Sequence, residues 1–252
     1  MLRILLSGCN GTVGRVIDAC AKLRDDCTIV AGIDPSDAPQ NDYPVFASAA
    51  ACTVRADAII DFSHPAALGD LVELSRTQKL PLVVATTGLS KEQVAALQEL
   101  SKEVPVLLSA NMSMGVNLLA ELVKAAARAL GESFDIEIVE RHHNKKIDAP
   151  SGTALMLADA ASTQLDPRPQ YVYDRHSKRS RRTRSEIGIH AVRGGTIVGE
   201  HAVIFAGQDE VLTISHSAAS KEVFAVGSLN AAEFLAKQPP GMYSMKSMFE
   251  IS

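Results

Sequence analysis

The residues best suited to chemistry lie in one short run, residues 140–153, with the sequence ERHHNKKIDAPSGT. Two adjacent histidines, His142 and His143, are followed by Lys145 and Lys146. Histidine can exchange a proton near neutral pH, and a lysine ammonium can donate a proton or hold a carboxylate. The run therefore predicts proton transfer to a carboxylate-bearing substrate. The alternative interpretation is a basic surface loop that precedes a capped helix.

The same run ends in a predicted helix N-terminus. Ser151 can cap the helix, which leaves the amides of Gly152 and Thr153 free in the first turn, where an anion can bind. Strand alternation sends His142 and His143 to opposite faces, so we expect them to have different roles. We expect Asp148 to orient the loop. Adjacent histidines without a third spaced ligand predict no metal site.

A glycine turn near the start of the chain predicts a dinucleotide site. Gly8, Gly11 and Gly14 follow a strand and open a helix, where main-chain amides can approach a pyrophosphate. Asp34 ends the next strand, at the position of an acid that accepts from the adenosine ribose. Residues 35–42 contain no Arg or Lys, which predicts a preference for NADH over NADPH, with NADPH use possible. An ordinary tight turn with a strand-ending acid is the alternative.

Two further turns follow predicted strands, and they can serve a nicotinamide. They are Ala85-Thr86-Thr87-Gly88 and Ala110-Asn111-Met112-Ser113. Ligands bind at the carboxyl ends of parallel strands, and small polar residues there can hydrogen-bond a carboxamide and ribose. Either turn alone is also compatible with plain turn chemistry.

The elements that must position these residues follow two patterns. Five apolar runs (3–7, 29–33, 58–61, 82–86 and 106–108) alternate with helical patterns at 13–23, 65–79 and 89–103. This alternation predicts an α/β fold with a Rossmann-type parallel sheet.

After Gly115 the pattern changes to that of an α+β domain with a mostly antiparallel sheet. Helices are predicted at 116–130 and 151–163, and strand 135–140 alternates Ile136 and Ile138 against Glu137 and Glu140. Strands 186–192, 196–205 and 211–217 are predicted to form an antiparallel meander, followed by a last helix at 221–237. We expect a dinucleotide-binding domain at 1–113 and a substrate-binding domain at 114–220.

Composition limits the possible partners. The 252 residues carry a formal net charge of −4, with 4% aromatic residues and no tryptophan, so we expect neither nucleic-acid nor membrane binding. No signal peptide precedes the first strand, and the cysteines (Cys9, Cys20, Cys27 and Cys52) show no CxxC pair. We expect reduced thiols and a cytoplasmic protein. The arginine-rich run at 175–184 is interpreted either as a solvated loop or as an anion-binding or subunit-bridging loop.

The motifs together resemble those of the 4-hydroxy-tetrahydrodipicolinate reductase (dihydrodipicolinate reductase) family. The resemblance rests on residues 140–154 and extends to 8–14, 61–63, 85–88, 110–117, 187–188, 198–201 and 215–216. It implies a homotetramer of lysine and diaminopimelate biosynthesis that uses NADH or NADPH to reduce a cyclic imine dicarboxylate. It also implies that 221–252 completes the dinucleotide-binding domain, and that the domain at 114–220 serves both substrate binding and oligomerisation.

The resemblance also implies residue roles. His142 matches a proton donor or acceptor and Lys146 a proton donor, while His143, Gly152 and Thr153 match substrate contacts, with Ser151 close by. Positions that match cofactor contacts are Gly8, Cys9, Asn10, Gly11, Thr12, Val13, Asp34, Ala85, Thr86, Thr87, Ala110, Asn111, Met112 and Ser113. Some members carry a basic residue where this chain has Pro35. The alternatives are another Rossmann dehydrogenase of amino-acid metabolism and a catalytically silent dinucleotide sensor.

Overall fold

The computed structural model describes residues 1–36 and 41–249, so part of the segment that follows Asp34 lies outside the described residues. The chain forms two compact units. The first comprises Met1–Met114 and the segment that begins at Lys221, and the second is Gly115–Ser220. The described residues contain no helix that is long and apolar enough to cross a membrane. All four cysteines carry free thiols, as predicted.

The first unit is built on a seven-stranded parallel sheet. Its strands are β1 (Leu2–Ser7), β2 (Cys27–Ile33), β3 (Val45–Phe46), β4 (Ala58–Asp61), β5 (Leu82–Val84), β6 (Pro105–Leu108) and β12 (Gly241–Tyr243). The order across the sheet is β12-β6-β5-β4-β1-β2-β3. The five predicted strands are confirmed, and the two edge strands β3 and β12 were missed because each is too short to show a pattern.

Helices cover both faces of this sheet because the strands are apolar on both sides. Along β1, Ile4 and Leu6 belong to one core cluster and Leu5 to the other. The helices are α1 (Thr12–Ala21), α2 (Leu68–Gln78), α3 (Lys91–Leu100) and α6 (Glu222–Leu235). Ser90 and Gln93 form a capping box at the start of α3. Helix α6 packs against α1 and the central strands, so the end of the chain completes the first unit.

The second unit contains a five-stranded mixed sheet in the order β11-β10-β7-β9-β8. Its strands are β7 (Asp135–His142), β8 (Gln170–Val172), β9 (Glu186–Arg193), β10 (Gly199–Ala206) and β11 (Val211–Ala218). Helices α4 (Met114–Leu130) and α5 (Gly152–Ser162) pack with the sheet around a shared core that includes Val123, Leu157 and Phe205.

The predicted meander is right for β10 and β11, which pair antiparallel, and wrong for β9 and β10. Strand β7 lies between these two strands, antiparallel to β10 and parallel to β9. Its buried Ile136 and Ile138 favour this central position, because both contribute to the core of the unit. The turn after β9 is held on the end of β7, since the amide of Gly194 donates to the carbonyl of His142.

The arginine-rich segment divides into two groups. Lys178, Arg179, Arg181 and Arg184 are exposed, as expected for a solvated loop. In contrast, Arg175 and Arg182 both form ion pairs with Glu137 of β7. Arg182 also donates to the carboxylate of Asp135 and to two strand carbonyls, so it fastens the loop to the sheet.

We predict that Arg182→Met lowers the unfolding free energy of the second unit by about 2 kcal/mol, because it removes one of the arginines paired with Glu137 and the hydrogen bonds to two strand carbonyls. Arg181→Met is the matched control, since Arg181 is exposed in the same loop. Urea denaturation followed by circular dichroism measures both. Equal midpoints for the two variants would show that the Arg182 contacts do not stabilise the sheet.

Candidate active site

The glycine turn after β1 has the close packing expected of a dinucleotide loop. Gly8 has a φ of +78°, and a Cβ there would collide with the carbonyl of Phe62. A Cβ on Gly14 would collide with the carbonyl of Gly8, so the first turn of α1 can lie directly on the loop only without a side chain there. This packing points the start of α1 along the carboxyl edge of the sheet.

The start of α1 supplies donors for an anion. Gly11 occupies the N-cap, and within the described part of the chain no side chain caps the helix. First-turn amides, here those of Thr12 and Val13, have no partner within a helix and carry its partial positive charge. The exposed Gly11 and Thr12 leave this terminus open to a pyrophosphate.

Asp34 stands beside this turn, just after β2. One of its oxygens accepts from the Asn10 amide at 3.1 Å, and the other accepts from the amide and hydroxyl of Ser36. Partial burial alone would raise the pKa of the Asp34 carboxyl, but the hydrogen bonds from Ser36 and Asn10 lower it overall. The carboxylate is therefore ionised and can accept a ribose hydroxyl.

Cys9 and Asn10 support the turn with their side chains. Cys9 is fully buried in the core of the first unit, and burial raises the pKa of its thiol to about 11. The amide nitrogen of Asn10 donates to the Ser36 carbonyl at 3.0 Å, and its oxygen accepts from Asn41. Both side chains bind protein groups, so the main chain is the part of these residues best placed to meet a ligand.

The predicted nicotinamide turns lie at the ends of adjacent strands. Thr86 is buried, and its hydroxyl accepts from the Ser63 amide at 3.0 Å, joining the ends of β5 and β4. After β6, the side chain of Asn111 accepts from the Ser113 amide at 2.9 Å. Ala110 and Thr87 are exposed, Ala85 and Ser113 are buried, and the side chain of Met112 belongs to the core. The sheet order β6-β5-β4 brings both turns to one edge.

In the second unit, β7 places Glu140 and His142 together on its buried face. The side chain of Glu140 is fully buried, and His142 is 8% exposed. His142 Nδ1 lies 2.7 Å from Glu140 Oε2. The alternation stated above for this strand is wrong for Glu140, because residues 136, 138, 140 and 142 share one face.

Glu140 receives hydrogen bonds from three different elements. Arg193, at the end of β9, donates one Nη to each carboxylate oxygen, both at 2.7 Å. The amide of Ser151 donates to Oε1 at 3.0 Å, and His142 approaches Oε2. Burial alone would raise the pKa of the Glu140 carboxyl, but the hydrogen bonds of Arg193, His142 and Ser151 lower it overall.

The start of α5 has the predicted Ser151 cap. Ser151 is its N-cap, and its hydroxyl accepts from the Ala154 amide at 3.1 Å. The same hydroxyl lies 2.8 Å from His201 Nε2, so the buried Ser151 side chain is occupied by protein partners. Gly152 is exposed and Thr153 partly exposed, which leaves the first turn open to a carboxylate.

The loop between β7 and α5 carries the other candidates. Lys146 pairs with Asp148 at 2.7 Å, and the carbonyl of Asp148 accepts from Arg193. This agrees with the expectation that Asp148 orients the loop. Nδ1 of His143 is buried and has no hydrogen-bond partner among the described residues.

Three residues of this site were missed in the sequence: Glu140, Arg193 and His201. Strict counting along the strand would have placed Glu140 beside His142. Arg193 carried no such signal, because it reaches Glu140 only through the parallel pairing that sets it opposite His142. His201 comes from β10, where it pairs across the sheet with Glu140.

Comparisons with known proteins find relatives for both halves of the chain. Family models described as dihydrodipicolinate reductase, N-terminus and C-terminus, match residues 2–112 and 115–249. The 4-hydroxy-tetrahydrodipicolinate reductase of Caldanaerobacter subterraneus subsp. tengcongensis is 53% identical over 98% of both chains. That of Clostridium tetani is 49% identical over 98% of this chain and 97% of its own.

Solved structures share the fold. A dipicolinate-bound dihydrodipicolinate reductase from Paenisporosarcina sp. TG-14 matches with a TM-score of 0.85 and 22% identity, over 99% of this chain and 100% of its own. A myo-inositol dehydrogenase from Corynebacterium glutamicum matches with a TM-score of 0.61 and 17% identity, over 96% and 90%. The fold is therefore shared with dehydrogenases of other substrates.

His201 makes the stability of this site depend on pH. Burial, followed by the proximity of His142, lowers the pKa of His201 to about 4, so the folded chain holds it neutral. An unfolded chain binds that proton near its ordinary pKa of about 6.5. The stability contributed by the neutral His201 is therefore fully present above about pH 6.5 and is lost as the pH falls from there toward 4.

We predict that the wild type loses about 1–2 kcal/mol of stability between pH 7 and pH 5 through this group, and that His201→Gln flattens the dependence. The measurement is the urea midpoint at both pH values. His176→Gln serves as the control, because His176 is exposed in the same unit and its removal leaves the slope unchanged. The same slope in His201→Gln as in the wild type would contradict the prediction.

Proposed function

Because the chain belongs to the dihydrodipicolinate reductase family, we propose that it is a 4-hydroxy-tetrahydrodipicolinate reductase. The substrate is a cyclic imine dicarboxylate, formed from 4-hydroxy-tetrahydrodipicolinate by loss of water. Addition of a hydride to an electrophilic carbon of this conjugated heterocycle, completed by one proton from a positioned acid, gives tetrahydrodipicolinate, in lysine and diaminopimelate biosynthesis. NADH or NADPH supplies the hydride when bound.

The first unit, completed by its C-terminal segment, is the dinucleotide-binding part of this proposal. The first-turn amides of Thr12 and Val13 bind the pyrophosphate, and Asp34 accepts the ribose hydroxyls. The turns that contain Thr86 and Asn111 hold the nicotinamide end. We propose NADH as the preferred donor, because Pro35 and Ser36, which directly follow Asp34 in the chain, carry no positive charge for a 2′-phosphate. The cation that acts on Asp34 is Arg15 of α1, whose charge helps to lower the pKa of the carboxyl.

The second unit binds and protonates the substrate. The open first turn of α5, at Gly152 and Thr153, binds one carboxylate, with His143 as a further contact. His142 and Lys146 deliver the proton. The observation that carries this proposal is the anchored His142, since a buried imidazole fixed on a carboxylate beside a helix N-terminus suits proton delivery to an anion. We further propose that the enzyme is a cytoplasmic homotetramer.

We predict that His142→Gln and Lys146→Ala each lower kcat by about 10²- to 10⁴-fold, the usual contribution of a positioned acid, while dinucleotide affinity is unchanged. The assay follows NADH oxidation while pyruvate and aspartate semialdehyde supply the heterocycle. Dinucleotide affinity is measured by calorimetry.

Thr153→Val is the contrast variant, because its loss should appear mainly in the KM for the substrate. A collapse of dinucleotide affinity in the His142 variant would contradict the assignment. Absence of turnover in the wild type, despite tight dinucleotide binding, would favour a sensor.

We predict a higher kcat/KM with NADH than with NADPH, and a shift toward NADPH in Pro35→Arg. The added guanidinium stands next to Asp34, where it can pair with a 2′-phosphate. Steady-state kinetics with both dinucleotides measure the ratio, and the unchanged KM for the heterocycle is the control. A markedly lower KM for NADPH in the wild type would overturn the preference.

A further inference from the structure

We propose that Glu140, held by Arg193, is a positioning residue that fixes the tautomer of His142 and ties it to the start of α5. The inference rests on the proposed function, because it assigns a partner to the histidine that delivers the proton. Glu140 itself is fully buried, so it acts on the reaction through His142 rather than by contact with the substrate.

The hydrogen bonds around Glu140 determine which nitrogen of His142 carries a proton. Arg193 and the Ser151 amide can only donate, and together they supply three hydrogen bonds to the carboxylate. The carboxyl is ionised, since these contacts lower its pKa. An ionised carboxylate can only accept, so at 2.7 Å the Nδ1 of His142 must donate to it.

With a proton fixed on Nδ1, Nε2 is the nitrogen that exchanges protons. The chain leaves room at that atom, because a Cβ on Gly199 would stand only 3.1 Å from it. His201 packs edge-on against the His142 ring, with centroids 5.2 Å apart, and limits its rotation. The groups that face the imidazole are therefore Glu140 and Arg193 at one end and His201 at its side.

The same carboxylate connects the proton donor with the anion site. Through Oε1 it holds the Ser151 amide, immediately before Gly152 and Thr153 in the first turn of α5. Through Arg193 it is linked to the carbonyl of Asp148, whose side chain pairs with Lys146. One buried ion pair thus sets the positions of both proposed proton donors and of the proposed carboxylate-binding turn.

Glu140→Gln tests the tautomer because the geometry dictates how the amide must turn. Oε1 faces two obligate donors, Arg193 and the Ser151 amide, so the amide oxygen takes that side. The NH2 group then faces His142 Nδ1 together with the one Nη of Arg193 that donates to Oε2 in the wild type. Nδ1 must therefore become an acceptor, with the ring proton on Nε2. A wrong tautomer of a catalytic histidine, or loss of its partner, lowers turnover by about 10²- to 10⁴-fold.

The matched control is Glu137→Gln. Glu137 lies on the same strand but on the opposite face, where it pairs with Arg175, Arg182 and His190. Both substitutions neutralise a carboxylate held by arginine and histidine, and both cost stability. Only Glu140→Gln should lower kcat, while the KM for the dinucleotide stays constant in both. Glu140→Asp, which keeps the charge, should recover part of the turnover.

The direct measurement is ¹⁵N NMR of the histidine rings in the full-length protein at alkaline pH, with the His142 signals identified by their absence in His142→Gln. We expect a protonated Nδ1 in the wild type and in Glu137→Gln, and a protonated Nε2 in Glu140→Gln. An Nε2-protonated wild type overturns the inference even if the Glu140 variant fails to fold. So does full turnover in Glu140→Gln, or an equal loss in both variants. Full turnover in His142→Gln would instead refute the proposed role of His142 and leave the tautomer assignment standing.

Discussion

The second unit depends on keeping one carboxylate charged in a place that water does not reach. Burial of an unpaired carboxylate is very unfavourable, so Glu140 requires its full set of donors. These donors come from the end of β9, the end of β7 and the N-cap residue of α5. The strand order of the sheet and the start of a helix therefore together place the hydrogen-bond donors around a single charge. The same contacts that stabilise the fold also orient the chemistry.

Strand β7 carries a second paired carboxylate on its other face, and the comparison shows what burial adds. Glu137 is 22% exposed and joins the loop arginines Arg175 and Arg182 to the sheet. Its ion pairs hold a surface segment and touch no group proposed to act on the substrate. Glu140 has nearly the same set of partner types but no exposure. Because no solvent screens the Glu140 carboxylate, its charge acts strongly on His142, and its fixed position orients the imidazole.

The first unit handles charge in a different way. Its proposed anion site is made of main-chain amides at the start of α1, and the side chains nearby serve mainly to shape the turn. Gly8 and Gly14 contribute by having no Cβ, and Asp34 contributes one carboxylate on a partly open edge. Such a site is formed by residues that lie close together in the sequence. A glycine turn, a helix start and a strand-ending acid are therefore visible in the sequence itself.

This difference explains how much could be predicted. The five inner strands of the first sheet and the Ser151 cap follow from local patterns, and they are observed. The short strands β3 and β12 exist only because an edge pairs with them. The wrong pairing of β9 and the omission of Arg193 are one error, because a parallel register between distant segments is encoded in neither segment alone. Only when β9 lies beside β7 does Arg193 come opposite His142 and reach Glu140. The partners of a charge that is paired across strands can thus be identified only once the strand order is known. The partners of a charge that is paired within a turn can be predicted from the sequence.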